Sequence, residues 1–270
     1  MESRISAAIS AARDRGRCAL ATYAVAGHPS YAGTSDVVAG MARGGADIIE
    51  LGYPFSDPMA DGRDIQGASA SAIAGGATRK RFLRLVRSIR SRFDVPLVLM
   101  TYSNIPYSAG FGGFIKEAAD AGIDGMILPD MPVDESAEYR RAARGRLDTI
   151  FLASPNTAPA RMRQIAAAST GFMYLVAVYG TTGSAGGPGE GAAALGRARR
   201  ASQVPVGVGF GISSAADARA YARAGADLVI VGSAYARLIA ATPRRRLGAA
   251  TEALTRRLAA GCQKIQKKAA

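Results

Sequence analysis

Eight short apolar runs recur along the whole chain at similar intervals, and this feature constrains the fold most. Each run is continuously apolar rather than alternating, which is typical of parallel strands that are covered on both faces. Segments with helical spacing separate the runs, so the pattern predicts alternating strands and helices. The runs are residues 18–25, 46–52, 96–102, 125–130, 149–154, 172–178, 204–210 and 227–232.

The number of units favours one closed barrel. A (β/α)8 barrel typically has about 250 residues, and this chain has 270. Two smaller domains would fit the length alone, but no linker interrupts the series. We therefore predict an α/β fold, a single (β/α)8 TIM barrel over residues 1–270 with an extra N-terminal helix, rather than two Rossmann halves. The long interval between the second and third runs predicts a loop and two helices.

A Gly-X-Asp repeat precedes three of the runs. It occurs at Gly45-Ala46-Asp47, Gly122-Ile123-Asp124 and Gly225-Ala226-Asp227. Glycine commonly ends a helix, so the repeat indicates a helix stop followed directly by a buried strand.

Composition excludes several classes of protein. Apolar residues make up 49% of the chain and charged residues 20%, which is a globular balance. Two cysteines, Cys18 and Cys262, and one histidine, His28, are too few for a disulfide framework or a histidine- and cysteine-ligated metal centre. No apolar run reaches the roughly 18 residues of a membrane-spanning helix, and the N-terminus lacks a secretory apolar segment. We expect a soluble cytoplasmic protein without a metal site.

Two carboxylates lie at the end of the second run. In a barrel of this kind the active site lies at the C-terminal ends of the strands. Glu50 lies inside an apolar run, and Asp61 follows in the loop of residues 53–63. Burial raises a carboxyl pKa, which suits a proton donor at neutral pH. Alternatively, Glu50 forms a buried ion pair and Asp61 caps a helix.

Glycine-rich turns follow the seventh and eighth runs, at residues 207–214 and 231–234. Glycine lets a backbone approach an anion closely, and the N-terminus of a following helix offers free N–H groups. These turns therefore predict a phosphate site, although tight packing would also explain them. The glycine-rich segment 179–191 is typical of a mobile lid, with Thr182 within reach of the carboxylates, or else of a disordered connector.

The positions of the lysines limit the reaction mechanisms that are open to this chain. Carbon–carbon cleavage of a phosphorylated sugar usually needs an electron sink such as a Schiff-base lysine or a metal ion. None of the five lysines falls in a predicted strand. If the protein is a lyase, the substrate itself must supply the sink, and the protein contributes acid–base carboxylates.

A basic segment, residues 79–92, carries apolar residues at helical spacing, which favours a helix packed on the barrel with solvated arginines. The net charge of +13 also permits a nucleic-acid or other anionic partner, but no recognisable nucleic-acid motif accompanies it.

Several motifs together resemble the tryptophan synthase alpha subunit family, and the match extends along nearly the whole chain. The longest is IELGYPFSDPMADG at 49–62. The others keep the family's order and are MTYSN at 100–104, LPDMP at 128–132, GTTG at 180–183, GFGIS at 209–213 and IVGSA at 230–234.

The resemblance implies cleavage of indole-3-glycerol phosphate into indole and glyceraldehyde 3-phosphate, with Glu50 and Asp61 as catalytic carboxylates. Protonation of the indole ring at C3 would create the electron sink. Positions that would line the indole pocket or orient the carboxylates are Tyr23, Met100, Tyr102, Tyr174 and Thr182. Positions that would hold the phosphate are Gly183, Gly211, Gly232 and Ser233.

The resemblance also implies a partner, a beta subunit that receives indole through a tunnel in an αββα complex. Pyridoxal phosphate would belong to that subunit, and we expect no cofactor in this chain. The chain departs from the family at Arg63 and Asp64, where Pro-Thr is usual, at Ala177, which is often serine, and at His28. The alternatives are a stand-alone lyase that releases free indole and a catalytically silent barrel that binds a phosphorylated ligand.

Overall fold

The strands form one parallel sheet around a central axis. The computed structural model describes residues 3–176, 188–209 and 211–263. Within these ranges the strands are β1 (Ala19–Val25), β2 (Ile48–Gly52), β3 (Leu97–Met100), β4 (Gly125–Ile127), β5 (Asp148–Ile150), β6 (Leu152–Ala153), β7 (Met173–Val176), β8 (Val206–Gly209) and β9 (Leu228–Val231). Their order in the sheet is β5-β4-β3-β2-β1-β9-β8-β7-β6.

The fifth predicted strand is divided in two, and this division closes the barrel. β5 pairs with β4, whereas β6 pairs with β7. Only Phe151 separates β5 from β6, and its carbonyl accepts the backbone N–H of Tyr174 at 3.0 Å. The two ends of the sheet order therefore meet in one segment, 148–153, and the predicted closed (β/α)8 barrel is confirmed.

Helices cover the outside of the barrel and one of its ends. They are α1 (Arg4–Asp14), α2 (Tyr31–Arg43), α3 (Arg63–Ala74), α4 (Arg79–Arg90), α5 (Asn104–Ala109), α6 (Phe111–Ala121), α7 (Ala137–Ala143), α8 (Pro159–Ala168), α9 (Pro188–Ala201), α10 (Ala215–Arg223), α11 (Ser233–Ala241) and α12 (Leu247–Gly261). Short 3-10 turns lie at Val133–Glu135 and Arg244–Arg246. The two helices predicted between the second and third strands are α3 and α4.

The basic helix α4 packs on the barrel as its spacing predicts. Phe82, Leu85, Val86 and Ile89 are buried, while most of its arginines face the solvent. No described helix is long and apolar enough to cross a membrane.

The N-terminal helix closes one end of the barrel. Ile5, Ile9 and Ala12 of α1 are buried in the same cluster as inward-facing strand residues. A Cβ added at Gly125 would lie 2.6 Å from the Ile5 side chain, so glycine leaves room for this plug. The extra helix predicted at the N-terminus therefore seals the N-terminal end and leaves the opposite end open.

The Gly-X-Asp repeat has a second role besides ending helices. Gly45, Gly122 and Gly225 all have positive φ, as a left-handed helix stop requires. The aspartates that follow them accept backbone N–H groups at the start of neighbouring strands: Asp47 from Leu20, Asp124 from Leu97 and Asp227 from Val206. The repeat thus joins adjacent strands at the N-terminal end. That residues 1–270 form one domain stays a prediction.

Candidate active site

A cavity of about 250 Å³ opens at the C-terminal end of the barrel. Its described walls come from five strands and from segments that follow strands. They are Tyr23, Glu50, Asp61, Ile65, Met100, Tyr174, Gly211, Ile212, Ser213, Ile230, Gly232, Ser233 and Arg237. The cavity thus brings together both predicted carboxylates and both glycine-rich turns.

Glu50 points into the barrel from the middle of β2. It pairs in register with Tyr23 on β1 and Val98 on β3, and both of those side chains belong to the interior cluster. Glu50 is 1% exposed, and its Oε1 has no hydrogen-bond partner within the described part of the chain. Burial raises the pKa of Glu50 to about 8. The carboxyl group therefore holds its proton at neutral pH.

Asp61 reaches the same cavity from the loop after β2. Two hydrogen bonds hold this loop in place. The Asp61 N–H donates to the Pro58 carbonyl at 3.0 Å, and the Gln66 side chain donates to the Asp61 carbonyl at 2.9 Å. Tyr102 donates its hydroxyl to Asp61 Oδ2 at 3.2 Å. Burial raises the pKa of Asp61 to about 6, although the hydrogen bond from Tyr102 opposes the rise. Asp61 is therefore mostly ionised at pH 7.

The alternative roles considered for these carboxylates do not match the contacts. Among the described residues neither Glu50 nor Asp61 takes part in a salt bridge. The N-cap of α3 is Gly62, which has no side-chain cap, so Asp61 does not cap that helix. Both carboxylates instead face a cavity.

Two tyrosines pack beside Glu50 because neighbouring strands carry glycine. A Cβ added at Gly52 would collide with the Tyr23 hydroxyl, and one at Gly209 would collide with the Tyr174 hydroxyl. Burial, together with the nearby Glu50 and Asp61, raises the pKa of both tyrosines well above the usual range. Both phenols therefore stay neutral and can serve as hydrogen-bond donors.

Met100 lines the cavity, whereas Tyr102 lies behind Asp61. The Tyr102 hydroxyl accepts the Ala60 N–H at 2.9 Å as well as donating to Asp61, and its ring stacks on Phe55 at 4.9 Å between centroids. Tyr102 therefore holds the loop that carries Asp61.

The two glycine-rich turns differ in what they offer an anion. After β8, the N–H groups of Ser213 and Ser214 donate to the Asp217 carboxylate, and Ser214 caps α10. After β9, Gly232 is the N-cap of α11 and no side chain caps that helix. The first N–H groups of a helix lack intrahelical partners, so the N-terminus of α11 is the better anion site.

Glycines in the first turn have separate roles. Gly209 leaves room for Tyr174, and a Cβ at Gly207 would lie 2.9 Å from the Phe172 ring. These two glycines serve packing, which was the alternative explanation for the turn. Gly211, with φ of 76°, lines the same cavity as the N-terminus of α11.

Two wall residues, Ile65 and Arg237, lie outside every motif singled out in the sequence, whereas Ile212, Ser213 and Ile230 lie in predicted segments without having been named as site residues. Arg237 could have been found, because it lies one helical turn after Ser233. The predicted residues Thr182, Gly183 and Ala177, and most of the predicted lid 179–191, lie outside the described residues. Within the described ranges no three histidine, cysteine or acidic residues are grouped so as to hold a metal ion.

Comparison with known proteins assigns the chain to a family. The family model for the tryptophan synthase alpha chain matches residues 9–269. The tryptophan synthase alpha chain of Deinococcus radiodurans is 43% identical over 264 residues, which cover 97% of this chain and 95% of that protein.

Solved structures agree with this assignment. Tryptophan synthase from Mycobacterium tuberculosis superposes with a TM-score of 0.88 at 35% identity, covering 97% of this chain and 99% of that chain. The tryptophan synthase complex from Pyrococcus furiosus gives a TM-score of 0.81 at 33% identity, covering 90% and 98%. The match by family model, sequence and fold over nearly the whole length shows that this chain belongs to the tryptophan synthase alpha chain family.

Proposed function

We propose that this protein cleaves indole-3-glycerol phosphate into indole and glyceraldehyde 3-phosphate, as the alpha chain of tryptophan synthase in tryptophan biosynthesis. Membership of the family over residues 9–269 supports this proposal. The observation that carries it is Glu50, a buried carboxyl without an ion-pair partner in the described residues, in one cavity with the uncapped N-terminus of α11. The enzyme is accordingly a carbon–carbon lyase.

The phosphate end of the substrate lies against α11. Ser233 is the first residue of that helix and Gly232 precedes it, so backbone N–H groups and the positive end of the helix dipole face the anion. A Cβ at Gly232 would lie 3.5 Å from Ile65 and 3.7 Å from Tyr23, which is ordinary van der Waals contact, so packing against these side chains does not itself require glycine. Gly211 contributes from the turn after β8, which lines the same cavity.

Glu50 supplies and recovers the proton. Its neutral form protonates indole C3, which converts the ring into an iminium-like electron sink. The resulting carboxylate accepts the proton of the glycerol hydroxyl next to the ring as the carbon–carbon bond breaks. The electron pair of that bond returns to the ring, so indole and an aldehyde form with no net gain of protons. A pKa of about 8 for Glu50 suits both directions of transfer near neutral pH.

Asp61 acts as the anionic partner of the indole N–H. Its pKa of about 6 leaves it ionised when Glu50 is still protonated. Pairs of carboxyls whose pKa values are pushed apart take separate acid and base roles. Tyr102 positions Asp61, while Tyr23, Met100 and Tyr174 surround the ring. Thr182 and Gly183 remain proposed contacts to the carboxylates and the phosphate.

A beta subunit is the proposed partner, in an αββα assembly. The support is similarity to chains of solved tryptophan synthase complexes. Among the described residues, Met59 is 87% exposed and Tyr107 is 71% exposed, and both follow strands at the end where the cavity opens. Pyridoxal phosphate would be bound by the beta subunit, and this chain would act without a cofactor of its own.

Indole formation from indole-3-glycerol phosphate by the purified chain, alone and with a beta subunit, tests the proposal. We expect indole in both cases and faster release with the beta subunit. Activity that the beta subunit does not stimulate would favour a stand-alone lyase. Tight binding of the substrate without any cleavage would contradict the lyase function.

A further inference from the structure

An ion pair joins two helices at the mouth of the cavity. Arg237 of α11 donates from Nη1 to Asp64 Oδ2 at 2.8 Å, and Asp64 lies in the first turn of α3. Arg237 also lines the cavity, whereas Asp64 is not among its wall residues. Arg237 therefore contacts both the cavity and a carboxylate outside its described wall.

The position of Arg237 on its helix directs it toward the proposed phosphate site. It follows Ser233 by four residues, so the two side chains share one face of α11. Helical side chains lean toward the N-terminus of their own helix. The Cα–Cβ bond of Arg237 therefore tilts toward the turn that carries Gly232 and Ser233, and all three residues line the cavity.

The other charges of the cavity wall show why the positive charge of Arg237 matters for binding an anion. Among the described wall residues Arg237 is the one arginine or lysine, whereas Glu50 and Asp61 are both acidic. A phosphate ester carries a charge of about −1.5 to −2 at pH 7. Helix N-termini offer partial charges, so a full positive charge beside them adds attraction that opposes repulsion from an ionised Asp61.

We propose that Arg237 is a specificity-determining residue that binds the substrate phosphate and gives up its contact with Asp64 as it does so. This inference rests on the proposed function, because that function places the phosphate at the N-terminus of α11. Asp64 then acts as a competitor that holds the guanidinium when no phosphate is bound.

The observed pair is suited to such an exchange. The Arg237 side chain is 51% exposed and the Asp64 side chain is 34% exposed. Ion pairs as exposed as this one contribute little to stability. A phosphate dianion that also receives backbone N–H groups is therefore a stronger partner for the guanidinium than Asp64.

Calorimetric titration with two probes tests the exchange. The probes are indole-3-propanol phosphate, which lacks the hydroxyls needed for cleavage, and indole-3-propanol, which lacks the phosphate. We expect Arg237→Gln to weaken binding of the phosphate probe about 10-fold without changing binding of the alcohol. Asp64→Asn removes the competitor and should strengthen phosphate binding about 3-fold. In the lyase assay, Arg237→Gln should raise KM and leave kcat nearly unchanged.

Arg219→Gln is the matched control, because it removes the same charge from an exposed site on α10 that is not part of the described cavity wall. It should leave binding of both probes unchanged. If the pair only ties α3 to α11, Arg237→Gln and Asp64→Asn would weaken both probes alike, and the inference would be overturned.

The two proposals can fail separately. If the protein is an active lyase but Arg237→Gln does not change its affinity for the phosphate probe, this inference is overturned and the proposed function stays intact. Arg237-dependent binding of the phosphate probe by a protein that releases no indole would support the inference and contradict the proposed function.

Discussion

Both ends of the barrel carry acidic side chains, but these side chains differ in whether they form ion pairs. At the N-terminal end, Asp47 and Asp124 each accept a strand N–H and also pair with arginines. At the C-terminal end, Glu50 and Asp61 take part in no ion pair within the described residues, and burial raises the pKa of both. Carboxylates of the first kind join strands, and carboxylates of the second kind can exchange protons.

This difference follows from what surrounds each group. A charged carboxylate is stable away from water when hydrogen bonds and opposite charges replace its hydration. The N-terminal end provides these as strand N–H groups and arginines. The C-terminal end surrounds Glu50 with Tyr23, Val98 and other apolar or neutral side chains, so its neutral form is favoured.

The largest expected effect is the loss of activity in Glu50→Gln. The amide has nearly the same shape but cannot transfer a proton, so indole release should fall by about 10²–10⁴. The unfolding free energy should not fall, since Gln is neutral like the protonated acid. The assay measures indole release, and denaturant unfolding measures stability. Glu138→Gln, at an exposed position on α7, is the matched control. Near wild-type turnover in Glu50→Gln would end this mechanism.

Asp124→Asn should have the opposite effect: it should lower stability and leave activity unchanged. Asp124 binds Arg4, Arg90 and the Leu97 N–H, and its side chain is 13% exposed. Loss of the charge should lower the unfolding free energy by about 2–3 kcal/mol, with turnover unchanged well below the unfolding temperature. Asp120→Asn, which breaks the exposed pair with Lys116, should cost about 0.5 kcal/mol or less. If Asp124→Asn lost turnover without losing stability, the distinction between strand-joining and proton-exchanging carboxylates would be wrong.

The pH dependence of stability should also differ between the ends. Folded Glu50 keeps its proton up to about pH 8, whereas the unfolded chain releases it near the ordinary value of 4.5. Between these values the folded state binds the extra proton, so raising the pH destabilises the fold by at most about 1.4 kcal/mol per unit from this group.

Unfolding of the wild type and of Glu50→Gln across pH 5–8 measures this contribution. The stability advantage of the variant should grow as the pH rises, and wild-type activity should fall above about pH 8 as the acid ionises. A difference in stability that does not change with pH would mean that Glu50 is already ionised at pH 5.

The smallest expected effect is that of Tyr102→Phe. The substitution removes the hydroxyl that donates to Asp61 at 3.2 Å, and one hydrogen bond contributes about 1 kcal/mol. Turnover should fall about 5-fold, and the acidic limb of the pH profile should move upward because this hydrogen bond lowers the pKa of Asp61. Tyr107→Phe, at an exposed site, is the control. If the acidic limb of the pH profile did not shift, the Tyr102 hydroxyl would have no effect on the pKa of Asp61.

Several residues of the cavity wall were predictable because their signals are local. Glu50 is an acid inside an apolar strand, and Gly232 with Ser233 joins a strand to a helix, so residue type and spacing were enough to place them. The role of Tyr102 was not predictable in the same way. Tyr102 follows β3, and the family resemblance implied that it lines the pocket, but its hydroxyl bonds to a loop that follows another strand.

The sequence alone determined the eight parallel strand segments, the helices between them and the glycine stops, because these depend on local periodicity and backbone conformation, but not the division of the fifth segment into β5 and β6. Only the tertiary structure decided which groups meet. Asp217 occupies the N–H groups before α10, Gly209 receives the Tyr174 hydroxyl, and Arg237 meets Asp64 from 173 positions away. Such contacts depend on how closed strands and their loops converge in space, and no local pattern encodes that convergence.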